Sequence, residues 1–348
     1  MTDAWQPQVN SVATTLAELV RQLQISGHEV VVIQPGQFRT RPCPGFPSLQ
    51  IAWFPGARLR ELMDSAEAHA IHIATEGPLG WAARRHCLRR RWPFTTAFHT
   101  KFPEILKDTF GLPVSWGYAL LRCFHRPSSG VMAPSQGVLN MLEVRRFRRL
   151  LLWTHGVDTR LFALSDSSQP CAPLGPLAHP VSLYVGRIAR EKNIEAFLAL
   201  DVPGSKVVCG VGPLASSLRA RYPNVHWLGV LPRHELAQVY ACADVFVFPA
   251  RGETFGRTML EAMASGLTAV AFDCDTGPRE IIRANIDGVL VRPTEDVEAL
   301  AAHLSDLMSN EDKRQRLARR ATDVRDRFSS ARVLALWQQV LEQCLRRT

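Results

Sequence analysis

Short apolar runs alternate along most of the chain with stretches whose apolar positions recur at helical spacing. In VATTLAELVRQLQISG, Leu16, Leu19, Val20 and Leu23 share one face and the pattern stops at Gly27, so a helix is expected there. GHEVVVIQPG (27–36) is a β-branched run closed by Pro-Gly. AIHIATEGP (70–78) and FTTAFHT (94–100) are further strand candidates ending in polar loops, each followed by a helical pattern. A connecting stretch, 158–180, is rich in Pro and Ser from about 163 onward and reads as a linker. Beyond it the alternation restarts, with VSLYVG, SKVVCGVG, VHWLGVL, DVFVFPA, LTAVAFD and GVLVRP as strand candidates separated by helical segments. Two α/β domains are therefore expected, over 1–157 and 181–328.

Strands alternating with helices imply mostly parallel sheets, and such sheets bind ligands at the carboxyl ends of their strands. In the second half those ends are YVGRIAREKN (184–193), CGVGP (209–213), FPARGETFG (248–256) and FDCDTGPRE (272–280). Each also has an ordinary reading. Gly210-x-Gly212 is a fragment of a dinucleotide fingerprint or a tight turn, and Arg187 and Lys192 alone could be surface charges. Glu253 and Glu261 could lie on a solvated face. Their order after successive strands favours a shared site, because Arg and Lys neutralise phosphate and a helix starting near Gly256 offers N–H groups to an anion.

Composition narrows the class. With 348 residues, 46% hydrophobic and 21% charged, the chain is too long for one ordinary core and too apolar for disorder. Of eight cysteines, the closest pair in sequence is Cys242 and Cys274, so no metal-ligand spacing occurs, and the cysteines read as buried thiols in a reducing cytoplasm. No apolar run approaches the ~18 residues of a membrane span, and MTDAWQPQVN lacks the pattern of a signal peptide, so the protein is expected to be neither exported nor membrane-spanning. The net charge of +9 is unevenly placed, since residues 1–157 hold 18 Lys and Arg against 10 Asp and Glu, while the remainder holds 23 against 22. ARRHCLRRRW and EVRRFRRLLLW carry most of the excess, with WGYALLRCFHR (116–126) between them. A solvated helix face or an anionic surface, lipid or nucleic acid, accounts for such clusters. No basic-aromatic nucleic-acid module is present, so nucleic acid is not expected as a partner, although a basic nucleic-acid-binding protein is the alternative of another class.

G-R-x4-K at 186–192, the E-x7-E stretch RGETFGRTMLEAMASG, CGVGP and WLGVL together resemble the family-4 retaining glycosyltransferases, as do DAWQPQVNSV, HIATEGPLG, FTTAFHTKFPE and THGVDTRLF in the first half. The resemblance implies two Rossmann-like domains facing a cleft, the GT-B architecture, with the nucleotide-sugar donor on the C-terminal domain and the acceptor on the N-terminal one. The last helix, within 329–348, would cross back to the N-terminal domain. It further implies that Glu253 accepts hydrogen bonds from the donor sugar, that Glu261 accepts them from the ribose, and that Phe255, Gly256 and Arg257 face the diphosphate with Arg187 and Lys192. Gly210 would lie by the donor. His99 would lie beside the attacking hydroxyl, though a lone histidine is more often a core residue. Glu76 and Lys101 are weaker acceptor contacts. Asn10 and Ser11 fall where relatives carry a glycine-containing loop under the diphosphate, and Ser11 is a departure from that pattern.

No cofactor or metal is expected: fixed cations and helix N–H groups stabilise the leaving diphosphate, and DCD (273–275) reads as loop. The expected function is transfer of a hexose from a nucleotide diphosphate sugar, with GDP-mannose slightly favoured and a UDP-sugar the alternative, to a membrane lipid or lipid-linked acceptor. The setting is the inner face of the cell membrane, where a peripheral, cytoplasmic enzyme binds an anionic surface. A transferase acting on a soluble acceptor or an exopolysaccharide unit is the rival. Relatives open with an apolar strand ending in T-D-A-W, which makes the start at Met1 look late and the first strand missing.

Overall fold

The computed structural model describes residues 1–8, 10–44, 46–164 and 174–345, apart from the side chains of 46–48 and 345. It divides into one unit of Met1–His155 with Ala331–Thr348 and a second unit of Gly156–Ser330. Residues 165–173 of the expected linker lie outside the described residues.

The first unit opens with helix α1 (Ser11–Ile25), an antiparallel hairpin β1 (Thr40–Cys43) and β2 (Phe46–Ala52), and α2 (Gly56–Ser65). There follow β3 (His72–Ile73), α3 (Pro78–Arg90), β4 (Thr95–Ala97), α4 (Phe102–Phe110), α5 (Val114–His125), β5 (Gly130–Ala133), α6 (Gln136–Val144) and β6 (Leu150–Leu152). These last four strands form one parallel sheet in the order β3-β4-β5-β6. On the open side of β3 lies the start of the chain, where the Met1 amine donates to the His72 carbonyl and the Ala74 N–H donates to the Met1 carbonyl.

The strand expected over 27–36 is not formed. Its one backbone bond to this edge is from the Thr2 N–H to the Ile33 carbonyl at 3.0 Å, and a ladder needs successive pairs. Ile33 is still buried, so the segment contributes to the core as extended chain. The hairpin β1-β2, by contrast, was not foreseen.

The second unit contains β7 (Val181–Val185), α7 (Glu195–Leu198), β8 (Ser205–Cys209), α8 (Ala215–Arg221), β9 (His226–Gly229), α9 (Arg233–Cys242) and β10 (Val245–Phe248). It continues through α10 (Arg257–Ala264), β11 (Thr268–Phe272), α11 (Pro278–Ile281), β12 (Gly288–Val291), α12 (Val297–Ser309), α13 (Glu311–Ala321) and α14 (Val324–Arg327). All six strands are parallel, in the order β12-β11-β10-β7-β8-β9. Both faces are buried: Val181, Leu183, Phe246 and Ala269 enter one core, Tyr184, Val208, Val247 and Val270 the other. This is why the strands read as unbroken apolar runs. From β7 the chain proceeds outward to β8 and β9, then returns to β7's other side with β10. The switch in direction therefore falls between β7 and β10.

Helix α15 (Ser330–Leu345) leaves the second unit and packs on the first, where Val333, Leu334, Trp337 and Val340 join Leu19, Leu23, Met132 and Trp153 in one apolar cluster. The cysteines depart from the expectation of buried thiols. Cys87, Cys209, Cys274 and Cys344 are buried, but Cys43 is half-buried, Cys123 is exposed on the outer side of α5, and Cys242 is disulfide-bonded.

Because Trp337 is almost wholly buried against strand and helix residues of the first unit, Trp337→Ala should destabilise that unit by about 3–5 kcal/mol. Urea unfolding followed by tryptophan fluorescence measures this, and a loss below about 1 kcal/mol would show that α15 is not part of that core.

Candidate active site

In the second unit the expected donor residues gather around the switch point. The loop after β7 runs beside the loop after β8, held by bonds from the Gly186 N–H to the Cys209 carbonyl and from the Ile188 N–H to the Val211 carbonyl, both 3.0 Å. Such close running admits no side chain at Gly210. Its φ is +142°, and a Cβ there would stand 1.9 Å from the Gly186 carbonyl oxygen.

Across the switch, Lys192 from the β7 loop forms an ion pair with Glu253 of the β10 loop, and both are about three-quarters buried. The other Glu253 oxygen accepts the Thr254 N–H at 3.0 Å. Asn193, at a φ of 50°, donates its amide to the Pro249 carbonyl at 3.1 Å and ties the same two loops together. Arg187 is about half exposed and lies 3.5 Å from Glu191. Under the loop, the Tyr184 hydroxyl donates to the Arg187 carbonyl at 2.8 Å. Burial first, then the Glu253 and Glu191 charges, push the Tyr184 phenol up, so it stays a donor.

Helix α10 begins at Gly256, whose φ of +100° suits glycine and which has no side chain to cover the leading N–H groups. Phe255 is buried and packs edge-on against Phe328, so its backbone alone faces the loop region. Arg257 and Glu261 are both nearly buried and pair one turn apart, Arg257 Nε donating to Glu261 Oε1 at 3.0 Å. The Tyr240 hydroxyl approaches Glu261 Oε2 at 3.4 Å. Glu261 is thus a fixed carboxylate with two protein donors, and a ribose hydroxyl would have to use its remaining lone pairs.

Asp273 and Asp275, the acids of DCD, lie beyond the end of β11 in a loop. Asp273 takes Arg279 at 2.5 Å and also Arg292, while Asp275 takes Arg279 at 2.8 Å. Burial raises the Asp273 carboxyl, but the two arginine hydrogen bonds outweigh it and leave it below the ordinary value. Among the described residues no cluster of three or more His, Cys, Asp or Glu is placed to hold a metal.

The first unit brings a second set together at its own strand ends. His99 follows β4 and is buried among Trp153 at 5.9 Å and His155 at 5.7 Å between ring centres. Burial lowers its pKa to about 4, against a smaller upward pull from Glu76, so it is neutral at pH 7. Glu76 follows β3 and accepts from His125 at 3.2 Å, and the other ring nitrogen of His125 lies 2.9 Å from the Thr96 hydroxyl. Lys101 stands at the N-terminal boundary of α4, partly buried. Asn10 and Ser11 stand at the start of α1: the Asn10 side chain caps the helix, accepting the Ala13 N–H at 2.8 Å, and Ser11 is the first helical residue.

Two family models match the chain, Glycosyltransferase Family 4 over residues 12–161 and Glycosyl transferases group 1 over residues 175–324. The chain belongs to the group 1 glycosyltransferases. A GDP-mannose-dependent alpha-mannosyltransferase of Mycobacterium tuberculosis is 28% identical over 311 residues, 83% of this chain and 82% of that protein. An alpha-monoglucosyldiacylglycerol synthase of Streptococcus pneumoniae is 27% identical over 313 residues, 78% and 69%. The structure of Anabaena Alr3699/HepE in complex with UDP and glucose aligns with a TM-score of 0.76 at 17% identity, covering 97% of each chain, and shows the shared GT-B fold. This glycosyltransferase is accordingly a hexosyltransferase that uses a nucleotide sugar.

Several residues of the glycosyltransferase's two clusters were not singled out from sequence. His125 and Trp153 meet the named residues only through tertiary packing. His155, in THGVD after β6, shared with His99 the signal of a histidine at a strand end. Asp3 is a further case. Its carboxylate accepts the Leu79 N–H at 2.9 Å and the Gly80 N–H at 3.3 Å, fixing the start of α3 and the loop that carries Glu76.

His99 supplies a pH test. Its folded pKa lies below its unfolded one, so the unfolded chain binds the extra proton first and stability falls as pH drops from about 6.5 towards 4. Urea titrations should show wild-type stability losing up to about 1 kcal/mol per pH unit more than His99→Gln across that window. Equal slopes in the two proteins would mean that His99 protonates freely in the folded state.

Proposed function

We propose that the enzyme transfers mannose from GDP-mannose, with retention at the anomeric carbon, to a membrane lipid or lipid-linked acceptor. The observation that carries the donor half is the Lys192–Glu253 pair at the switch between β7 and β10, flanked by the glycine-bearing loop after β8 and the uncapped start of α10. Open parallel sheets take their ligands at such a point. The relatives named above, one using GDP-mannose and one making a glucosyldiacylglycerol, support the choice of donor and acceptor.

In this reading Arg187 and Lys192 meet the diphosphate, with the N–H groups of Gly256 and Arg257 on its other side and Gly210 beneath the nucleotide. Glu253 accepts from the mannose hydroxyls, exchanging its bond with Lys192 for bonds to the sugar, and Glu261 accepts from the ribose. The acceptor oxygen bonds to the anomeric carbon as the bond from that carbon to the diphosphate oxygen breaks. The acceptor proton passes to an oxygen of the departing diphosphate. Negative charge grows on the diphosphate alone, which is where the fixed cations act, and the reaction needs no metal. Neutral His99, with Lys101 two residues on and Glu76 after the neighbouring strand β3, holds the acceptor hydroxyl and sugar.

The basic balance of residues 1–157 supports docking of that unit on an anionic bilayer, at the inner face of the cell membrane. No helix among the described residues is long and apolar enough to cross a membrane.

A panel of GDP- and UDP-sugars with lipid extract tests the reading: mannosyl-lipid should form from GDP-mannose, with turnover unchanged by EDTA. Transfer only to soluble sugars, or abolition by EDTA, would refute it. Arg187→Ala should lower kcat about a hundredfold, since a cation at the leaving group is worth roughly 3 kcal/mol. Glu261→Ala should instead raise the donor KM with kcat within a few-fold, because ribose hydroxyls gain no charge in the transition state. Unaltered kcat in Arg187→Ala would remove that residue from the reaction.

A further inference from the structure

The first unit contains a cavity of about 340 Å³ whose lining shares only His125 with the site residues described above. Its walls carry Arg122 and Arg126 from the end of α5 and Arg146 and Arg148 from the loop before β6, over Phe147 and His125. Among the described residues no carboxylate forms an ion pair with any of the four arginines, so the cavity concentrates uncompensated positive charge.

The walls are held in place. Arg122 donates to the Arg145 carbonyl at 3.1 Å, and Arg145 lies over the Tyr118 ring at 4.4 Å while donating to the Met141 carbonyl at 3.1 Å. In the same loop Arg146 and Arg149 have φ of 62° and 56°, a conformation that glycine adopts at less cost.

The apolar surroundings identify the kind of anion. On α5, Trp116, Ala119, Leu120 and Cys123 recur at helical spacing along one outer face, with Trp116 70% and Leu120 55% exposed. Ala119 and Cys123 of that face also line the cavity. A free phosphate would use the arginines and leave exposed tryptophan and leucine beside them without a partner. A lipid satisfies both, its phosphate among the guanidinium groups and its glycerol and upper chains against α5.

We propose that this cavity binds the phosphodiester headgroup of an anionic membrane lipid and anchors the first unit to the bilayer beside α5. The proposal rests on the reading that the acceptor is a membrane lipid, and it adds a lipid site distinct from the acceptor's.

The test uses the full chain and vesicles of phosphatidylcholine with or without phosphatidylglycerol, or with oleate at equal surface charge. Arg146→Gln/Arg148→Gln should bind phosphatidylglycerol vesicles about 30-fold more weakly, at about 1 kcal/mol per basic residue and about 1.4 kcal/mol per tenfold. Arg85→Gln/Arg89→Gln on α3, which removes the same charge away from the cavity, should change binding only a few-fold. Arg146→Lys/Arg148→Lys should keep most of the affinity, and an unchanged thermal melt shows that each variant is folded. Equal losses from the two glutamine pairs, or equal binding to oleate and phosphatidylglycerol vesicles, would overturn the cavity as a phosphodiester site. Binding of soluble glycerol phosphate without preference for vesicles would overturn the lipid as its source. Mannosyl transfer to lipid in detergent, measured in parallel, separates the two readings: if it persists while the vesicle result fails, only the anchoring site is wrong.

Discussion

The active-site side of the second unit depends on one constraint, the continuation of backbone pairing past the ends of β7 and β8. Parallel strands normally diverge into their loops, yet here the Gly186 and Ile188 N–H groups go on donating to Cys209 and Val211. The two loops run at strand spacing for several more residues, and only glycine at 210 lets the chain pass the Gly186 carbonyl. Arg187 and Lys192 inherit their positions from that track. Lys192 then reaches the β10 loop, and the Asn193 amide fastens the same loop from its other end. The site is thus a set of backbone paths first and a set of side chains second.

Charge is handled differently in the two units. In the second, nearly every buried ion has a partner on a neighbouring turn or loop: Arg257 with Glu261, Asp273 with Arg279 and Arg292, and Asp287 with Arg283 and Arg327. Those pairs fix loop geometry around the sheet's carboxyl ends and leave little net field. In the first, burial keeps His99 neutral while the arginines of α3, α5 and the loop before β6 remain largely outside carboxylate pairs, with Arg90 on Asp64 an exception. One unit therefore neutralises itself and presents a few chosen cations; the other displays a broad positive surface.

What was legible in the sequence follows from this. The strands of the second unit could be read because burial on both faces makes the central ones nearly unbroken apolar runs, as in Val245–Phe248 and Thr268–Phe272. In the first unit GVMA and LLL are too short to stand out from helical surroundings, so β5 and β6 went unread, and 27–36 has a strand's composition without a strand's partners. Composition reports what a segment could do, while pairing decides what it does. Glu253, Glu261, Arg187 and Lys192 were singled out through spacing within one motif or at successive strand ends. His125 against Glu76 depends on a contact between residues 49 apart, which no local pattern encodes.

Helix α15 has a consequence for the order in which the molecule is made. Its apolar face completes the core built on Leu19, Met132 and Trp153, so the first unit is built from chain made both before and after the second unit. The second unit is contiguous, Gly156–Ser330, and all its strands are available before α15 is synthesised. Folding during synthesis therefore runs against the usual N-terminal-first order: the contiguous second unit can close on itself while the first unit, with its apolar cluster uncovered, still waits for α15.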